Sequence, residues 1–542
     1  MNTKRRGRLV WVGLGSIAAL SGCTSIGESP RAPYAHPAAL EIEQEDARAA
    51  APFRVVDAAW SSEPASGEHG GSRFGEGALE RGRLGLFDGA DFRLVQASCA
   101  DCGVSDLVRW WLADELVAVP TRTTPDAPGA APRRPQGIWI GAPSRVFSAR
   151  LAAGGRRLES GESGIDFAVA PPLETNTAYL DDSTFRYFAE RPLIVRGGIS
   201  AETGAFVART IFPDDLRIGL DAPPRPLARR ELLSTLVEAQ AGAESGASQR
   251  VLFARDGADW RGRPVIALVL TGAQGDDDGA RAGHLAIATG VLGERGEWHE
   301  WLVTNFYPLV DGNAKGIIPA TLPIDNYLYD LNSGQLYYRP GYMLVAVLRD
   351  ARAAAAVQQR LDETLLRLYC GDIEFDRARR NSTAMTIDSL RGLGWRIPAV
   401  GPTSRIAGLA AAPVAGLVRL SLGTARSIYA TFAAEKTRLL PRVAFEVAGH
   451  DLLQLAALGG TADALEGLTP FERMLAEDVE GIVFVRLPQV PSARPFGTYP
   501  VASLLTYGAA LLADPGPYEG APEAPPRTFS ERLRGSCPAP PS

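Results

Sequence analysis

Three short stretches of this chain carry side chains of the kinds that hydrolytic chemistry uses. "GHLAIATG" at 283–290 sets His284 in an apolar run, "WLVTNFY" at 301–307 carries Asn305, and "NSTAM" at 381–385 opens on Asn381, Ser382 and Thr383. A serine hydroxyl attacks well when a base takes its proton, and that base needs a third group to fix its tautomer. His284 is the candidate base, Asn305 the group that orients it and Ser382 the nucleophile. A hydroxyl that opens a helix would also meet free backbone N–H groups and the positive end of the helix dipole, which favour developing negative charge. Each residue has a plainer reading as well. His284 in isolation is a hydrogen-bonded structural histidine and Asn305 the end of a strand. Asn381-Ser382 is equally a helix N-cap, a position that Asn and Ser fill equally well.

Rival groups are few, because the chain has five histidines and five cysteines. Cys370, in "LLRLYCGD", would end a helix, where the dipole raises a thiol's pKa and Gly371 reads as the C-cap. His36 and His69 fall in polar, Pro/Gly-rich sequence and read as solvated, as does His299 beside Glu297. His450 reads as the start of a helix. "GDDDGAR" at 275–281 lacks the alternating ligand spacing of a calcium loop and reads as a solvated turn. No G-x-S-x-G elbow supports another serine hydrolase, and the residues call for no cofactor and no metal. The tyrosines of "IDNYLYDLNSGQLYYRPGY" would line either a wall for a glycan, peptide or lipid headgroup, or a hairpin packed on a neighbouring domain.

The elements that would position these groups follow from periodicity. Strands are expected at 263–272, 283–293, 297–307 and 342–350, and helices at 228–243, 351–370 and from 381 to 395. Residues 86–225 alternate short apolar runs with turn signals and read as a β-rich domain. Residues 401–513 are Ala/Leu-rich and read as mostly helical. Their stretch "RIAGLAAAPVAGLVRLSLG" is apolar enough to touch a membrane, but Pro413 and two arginines argue against a span. Residues 514–542 form a Pro-rich, poorly ordered tail. A chain of 542 residues is too long for one ordinary core. The fold class expected is α+β, in several domains.

The N-terminus carries an address. A basic "MNTKRRGR", an apolar "LVWVGLGSIAAL" and then "LSGC" resemble the signal peptide and lipobox of bacterial lipoproteins. The resemblance implies removal of residues 1–22 and diacylation of Cys23, with 23–85 as a flexible tether. Thr24, in place of an aspartate, implies sorting to the outer membrane, facing the periplasm. In that oxidising compartment Cys99 and Cys102 of "CADC" read as a local disulfide, with a thioredoxin-like redox motif as the alternative. Cys537 is either free or paired with Cys370. A net charge of −6 gives no basic stripe for nucleic acid. The partners expected are the membrane, through the lipid anchor, and peptidoglycan or envelope proteins.

The order of the chemical residues is the other resemblance. A histidine near the start of one strand, a polar residue on the next, a long helix and then an Asn-Ser-Thr turn resemble circularly permuted papain-like folds. These include permuted relatives of the NlpC peptidases and the lecithin:retinol acyltransferase-like proteins. The likeness covers residues 260–398, within an α+β domain at 226–400. It implies acyl transfer or hydrolysis on an amide or ester of the envelope, in a peptidoglycan peptide or a lipid. One departure stands out: such families place cysteine where Ser382 stands. A thiolate can form beside a protonated histidine, whereas a serine hydroxyl must lose its proton during attack. The alternative implied is a catalytically inactive relative that kept the fold as a binding or scaffolding module.

Overall fold

The structure is a computed structural model that describes residues within 83–491. The segments 97–115, 122–137, 170–181, 200–204, 240–246, 273–282, 308–318 and 403–428, and some shorter ones, fall outside the description. The lipobox, Cys23, Cys99, Cys102, Cys370, Cys537, His36, His69, the acidic turn at 275–281 and the terminal tail all lie in the undescribed residues.

The fold is α+β. In chain order it begins with β1 (Arg83–Asp88), β2 (Asp91–Gln96), β3 (Leu116–Thr121) and β4 (Ile138–Gly141). A closed five-stranded barrel follows, made of β5 (Ser144–Leu151), β6 (Arg157–Ser160), β7 (Ser163–Val169), β8 (Leu193–Ile199) and β9 (Phe206–Pro213), with helix α1 (Asp182–Ala189) beside it. Helix α2 (Leu233–Ala239) leads to β10 (Ser248–Ala254), β11 (Pro264–Thr271), β12 (His284–Val291), β13 (Leu302–Asn305) and β14 (Ala320–Pro323). Helix α3 (Ile324–Tyr329), β15 (Gly341–Leu348), α4 (Arg352–Tyr369) and α5 (Ser382–Gly392) come next. The chain closes with α6 (Lys436–Leu439), α7 (Pro441–Leu458), α8 (Pro470–Asp478) and β16 (Val479–Leu487).

Eleven strands form one sheet, in the order β10-β16-β15-β11-β12-β13-β14-β4-β3-β1-β2. From β10 to β14 every pairing is antiparallel. The central strands are apolar on both faces because both faces are covered. Val265, Ala267, Val269, Ala286, Ala288, Val303, Met343 and Val345 look toward the barrel. The alternate positions Ile266, Leu268, Leu270, Leu285, Ile287, Leu344 and Ala346 pack against α4, α5, α7 and α8. Strand geometry, with successive side chains on opposite faces, makes this assignment strict. At Gly290 a Cβ atom would run into the Trp301 ring, so the strand must be bare there.

The barrel docks through buried and part-buried polar contacts. Arg196 donates to Asp325 (2.5 Å), Thr210 to Asn326 (2.6 Å) and Arg209 to Asp330 (3.0 Å). Phe212 meets the Tyr329 ring edge-on, with centroids 5.4 Å apart.

Strand pairing crosses two expected boundaries. β16, from the region expected to be mostly helical at 401–513, lies between β10 and β15 in the large sheet. β1 to β4, from the region expected to be β-rich at 86–225, join the same sheet through a β14–β4 contact, whereas β5 to β9 form the barrel. Neither long-range pairing leaves a local signal. Among the described residues no helix is long and apolar enough to cross a membrane.

Candidate functional site

His284 is the first residue of β12 and follows Gly283, whose φ of 80° is a left-handed conformation that glycine adopts at no steric cost. It pairs across the sheet with Thr271, and its side chain is 5 % exposed. Its position alternates with Leu285 and Ile287, so the imidazole faces the barrel side together with Ala286 and Ala288. Asn305 ends β13 on that same face, in step with Val303, and its side chain interacts with the imidazole. The Tyr327 and Tyr307 rings stand beside it, with centroids 6.1 and 6.5 Å from that of His284.

Electrostatics make this imidazole neutral. Burial, and then the guanidinium of Arg339, push its pKa down to about 3, against a smaller opposing effect from Asn305. Arg339 is 2 % exposed and donates to Gln335 Oε1 from Nε at 3.1 Å, and from Nη2 as well. Gln335 in turn accepts from Thr271, whose hydroxyl lies 3.4 Å from that of Tyr327. Burial lifts the Tyr327 phenol to about 12. His284 Nε2 is buried and makes no hydrogen bond among the described residues.

Ser382 stands elsewhere. It is the first residue of α5, and that helix packs through Met385, Ile387 and Leu390 on the Leu285/Ile287 face. The sheet therefore lies between the α5 packing face and the face that His284 presents, and no hydrogen bond joins Ser382 to the imidazole. The Asn-Ser-Thr turn is an N-cap: Asn381 Oδ1 accepts from the Ala384 N–H at 3.0 Å, and Asn381 Nδ2 donates to Leu439 O at 3.0 Å. Of the three residues expected to act together, the fold brings His284 to Asn305, and Ser382 shares no hydrogen bond with the imidazole. Alternation explains the difference, because the spacing from histidine to serine says nothing about which face the histidine takes.

Other expectations change as well. Tyr327, Tyr329, Tyr337 and Tyr342 are at most 2 % exposed, so they fill the interior instead of forming an open wall. His299 is half-buried against Phe147 and Phe212, not solvated. His450 lies in the middle of α7 and accepts from the Leu233 N–H.

A second polar cluster lies on the helix side. Thr289 donates to Gln358 (2.7 Å), and Gln358 donates to Thr304 (3.1 Å) and to Asp362 (2.9 Å). Thr321 donates to the same Asp362 oxygen (2.8 Å). Burial outweighs these bonds and raises the Asp362 carboxyl to about 7. Sequence reasoning missed this cluster and Arg339 alike. Gln358 and Asp362 offered a signal, as polar residues four apart on the otherwise apolar face of an amphipathic helix, whereas Arg339 in "YYRPGY" offered none. Among the described residues no group of His, Cys, Asp and Glu is arranged to hold a metal ion.

Fold and site together define an α+β protein whose large sheet is covered by helices on one face and by a small barrel on the other. Comparison with family models, with curated proteins and with solved structures returns no match to this chain.

Proposed function

We propose that this protein is a cell-envelope lipoprotein, anchored through diacylated Cys23, whose folded body is a binding or scaffolding module without hydrolytic activity. One observation carries the second half: the His284 imidazole is buried, neutral and turned away from the sheet face on which α5 packs. A base must reach the proton it abstracts and hold a pKa near the working pH, and His284 does neither toward Ser382. The first half rests on the resemblance of residues 1–23 to a lipoprotein signal and lipobox. On this reading the body faces the periplasm and meets peptidoglycan or envelope proteins.

The test uses the soluble body, residues 24–542. Wild type, Ser382→Ala and His284→Ala are incubated with peptidoglycan and with phospholipid, and the products are read by mass spectrometry. The expected result is no product from any of the three, with the body co-sedimenting with peptidoglycan sacculi or capturing an envelope protein. A product formed by wild type and lost in Ser382→Ala overturns the reading. The anchor is tested separately by labelled palmitate, whose incorporation should vanish in Cys23→Ala.

A second reading, a hydrolase of envelope amides or esters, is favoured by one observation. His284 and Asn305 do come together, as the base and its orienting residue would.

A further inference from the structure

Thr304 and Thr321 lie opposite each other on β13 and β14, on the face that α4 covers, and Thr289 stands beside them on β12. Gln358 and Asp362 reach from α4 and close a ring with them. Gln358 donates to Thr304 and to Asp362 Oδ1, and Thr321 donates to the same oxygen. The Thr321 proton is given to Asp362, so Thr304 donates to Thr321 (3.2 Å), and Thr289 donates to Gln358 Oε1. Every donor in the ring therefore leads toward one carboxyl oxygen. The other, Oδ2, makes no hydrogen bond among the described residues, and Asp362 is 4 % exposed. A buried oxygen without a donor holds a proton well and a negative charge poorly. The elements packed against α4 are β11, β12, β13, α5 and α8. Their ionisable groups are His284, on the opposite face of β12, Asp388 and Arg391 on α5, and Glu472, Arg473, Glu477 and Asp478 on α8. Asp388 pairs with Arg438, Arg391 with Glu435, Glu472 with Arg396, and Asp478 with Arg349 and Arg352. On α4 itself Arg360 pairs with Glu363. Among the described residues only Glu363 acts on the Asp362 charge, and it opposes ionisation.

We propose that Asp362 is a proton-operated latch between α4 and the sheet: with its proton it completes the ring, and without it α4 opens locally from β13 and β14 and lets water reach the carboxylate. The ring is the polar part of a contact that Ala353, Ala354, Val357 and Leu361 otherwise make with apolar surface, so it is where a change of charge acts on the junction. On ionisation the proton leaves Oδ2 for water, and no other group needs to gain or lose one. Local opening solvates the charge without unfolding the rest of the chain. The sign follows from the raised carboxyl value. A carboxyl that ionises at about 7 when closed and near 3.8 when open makes the latch firm in acid. It weakens as pH rises between those values and levels off above the higher one. The strand it steadies also matters, because Asn305, which interacts with His284, follows Thr304 on β13 and points to the opposite face.

The full chain, purified in detergent, is followed by amide hydrogen exchange and mass spectrometry from pH 5 to pH 8, with rates corrected for the intrinsic pH dependence of exchange. Peptides from α4 and from β13–β14 report the latch, and peptides from α7 serve as the internal reference. In wild type the opening of α4 and β13–β14 should rise roughly fiftyfold from pH 5 to pH 8, with most of the rise below pH 7. The α7 peptides should stay level. Asp362→Asn, shown to be folded by circular dichroism, should abolish the rise. Thr321→Val keeps the carboxyl and removes a bond that favours its ionised form, so it should move the plateau to higher pH. This second variant keeps the test decisive if Asp362→Asn does not fold. Corrected exchange that is independent of pH, an equal rise in α7, or an unchanged rise in folded Asp362→Asn overturns the proposal. So does a plateau that Thr321→Val leaves in place.

Discussion

Replacing Asp362 with asparagine should stabilise the protein at neutral and alkaline pH. The carboxyl sits between α4 and the sheet, 4 % exposed, with Thr321 and Gln358 both donating to one oxygen. Among the described residues no arginine or lysine contributes to its electrostatics, and Glu363 raises its pKa further. An aspartate with a raised folded pKa favours folding most at pH values below its unfolded pKa. That advantage is lost as pH climbs through the folded value. Here the window runs from 3.8 to about 7. The span of about three pH units corresponds to on the order of 4 kcal/mol at full ionisation, an upper figure if water enters the site. Asparagine keeps an oxygen to accept both bonds and carries no charge at any pH, so the loss should disappear. The assay is urea unfolding of wild type and Asp362→Asn from pH 4 to pH 9, and the difference between them isolates this residue from all other titrations. The variant should gain steadily from pH 4 and level off above pH 7. Parallel curves across that range would show that Asp362 is not charged in a dry interior, and the cluster would need another description.

His284 carries the opposite sign. Its depressed pKa means that stability is full above about 6.5 and falls as pH drops toward about 3, so His284→Gln should flatten the acid limb of the unfolding profile. Asn381→Ala should cost about 1 kcal/mol or more through loss of the cap to Ala384 and of the bond to Leu439 O, Asn381→Asp should keep the cap and still destabilise because a carboxylate cannot donate to Leu439 O, and Ser382→Ala should change stability by less than about 0.5 kcal/mol. Arg196→Met should destabilise by about 3–5 kcal/mol because it strands the fully buried Asp325 carboxylate. Thermal unfolding of the double variant Arg196→Met/Asp325→Leu should recover most of that loss.

Much of the fold was legible because burial leaves a local imprint. The strands at 264–271, 284–291 and 341–348 and the helix at 352–369 fall within a residue or two of their apolar periodicity. The pairing of β16 between β10 and β15 was not legible, since strand order depends on contacts more than a hundred residues apart. The site was legible in halves. His284 and Asn305 meet because consecutive antiparallel strands bring i and its cross-strand neighbours together. The side on which Ser382 meets the sheet was not legible, because β12 is apolar on both faces and nothing in "HLAIATGV" says which face the histidine takes. Arg339 escaped notice because a buried arginine looks like any other arginine until its neighbours are known.

The central claim is that His284 is a buried, neutral group independent of Ser382, and its own titration tests this most directly. Imidazole nitrogen resonances of wild type and Ser382→Ala would be followed from pH 8 downward. The account predicts that His284 stays neutral to below pH 5 in both proteins, with superimposable curves. A His284 that titrates between pH 6 and 8, and shifts when the Ser382 hydroxyl is removed, would place the two side chains in contact and contradict it.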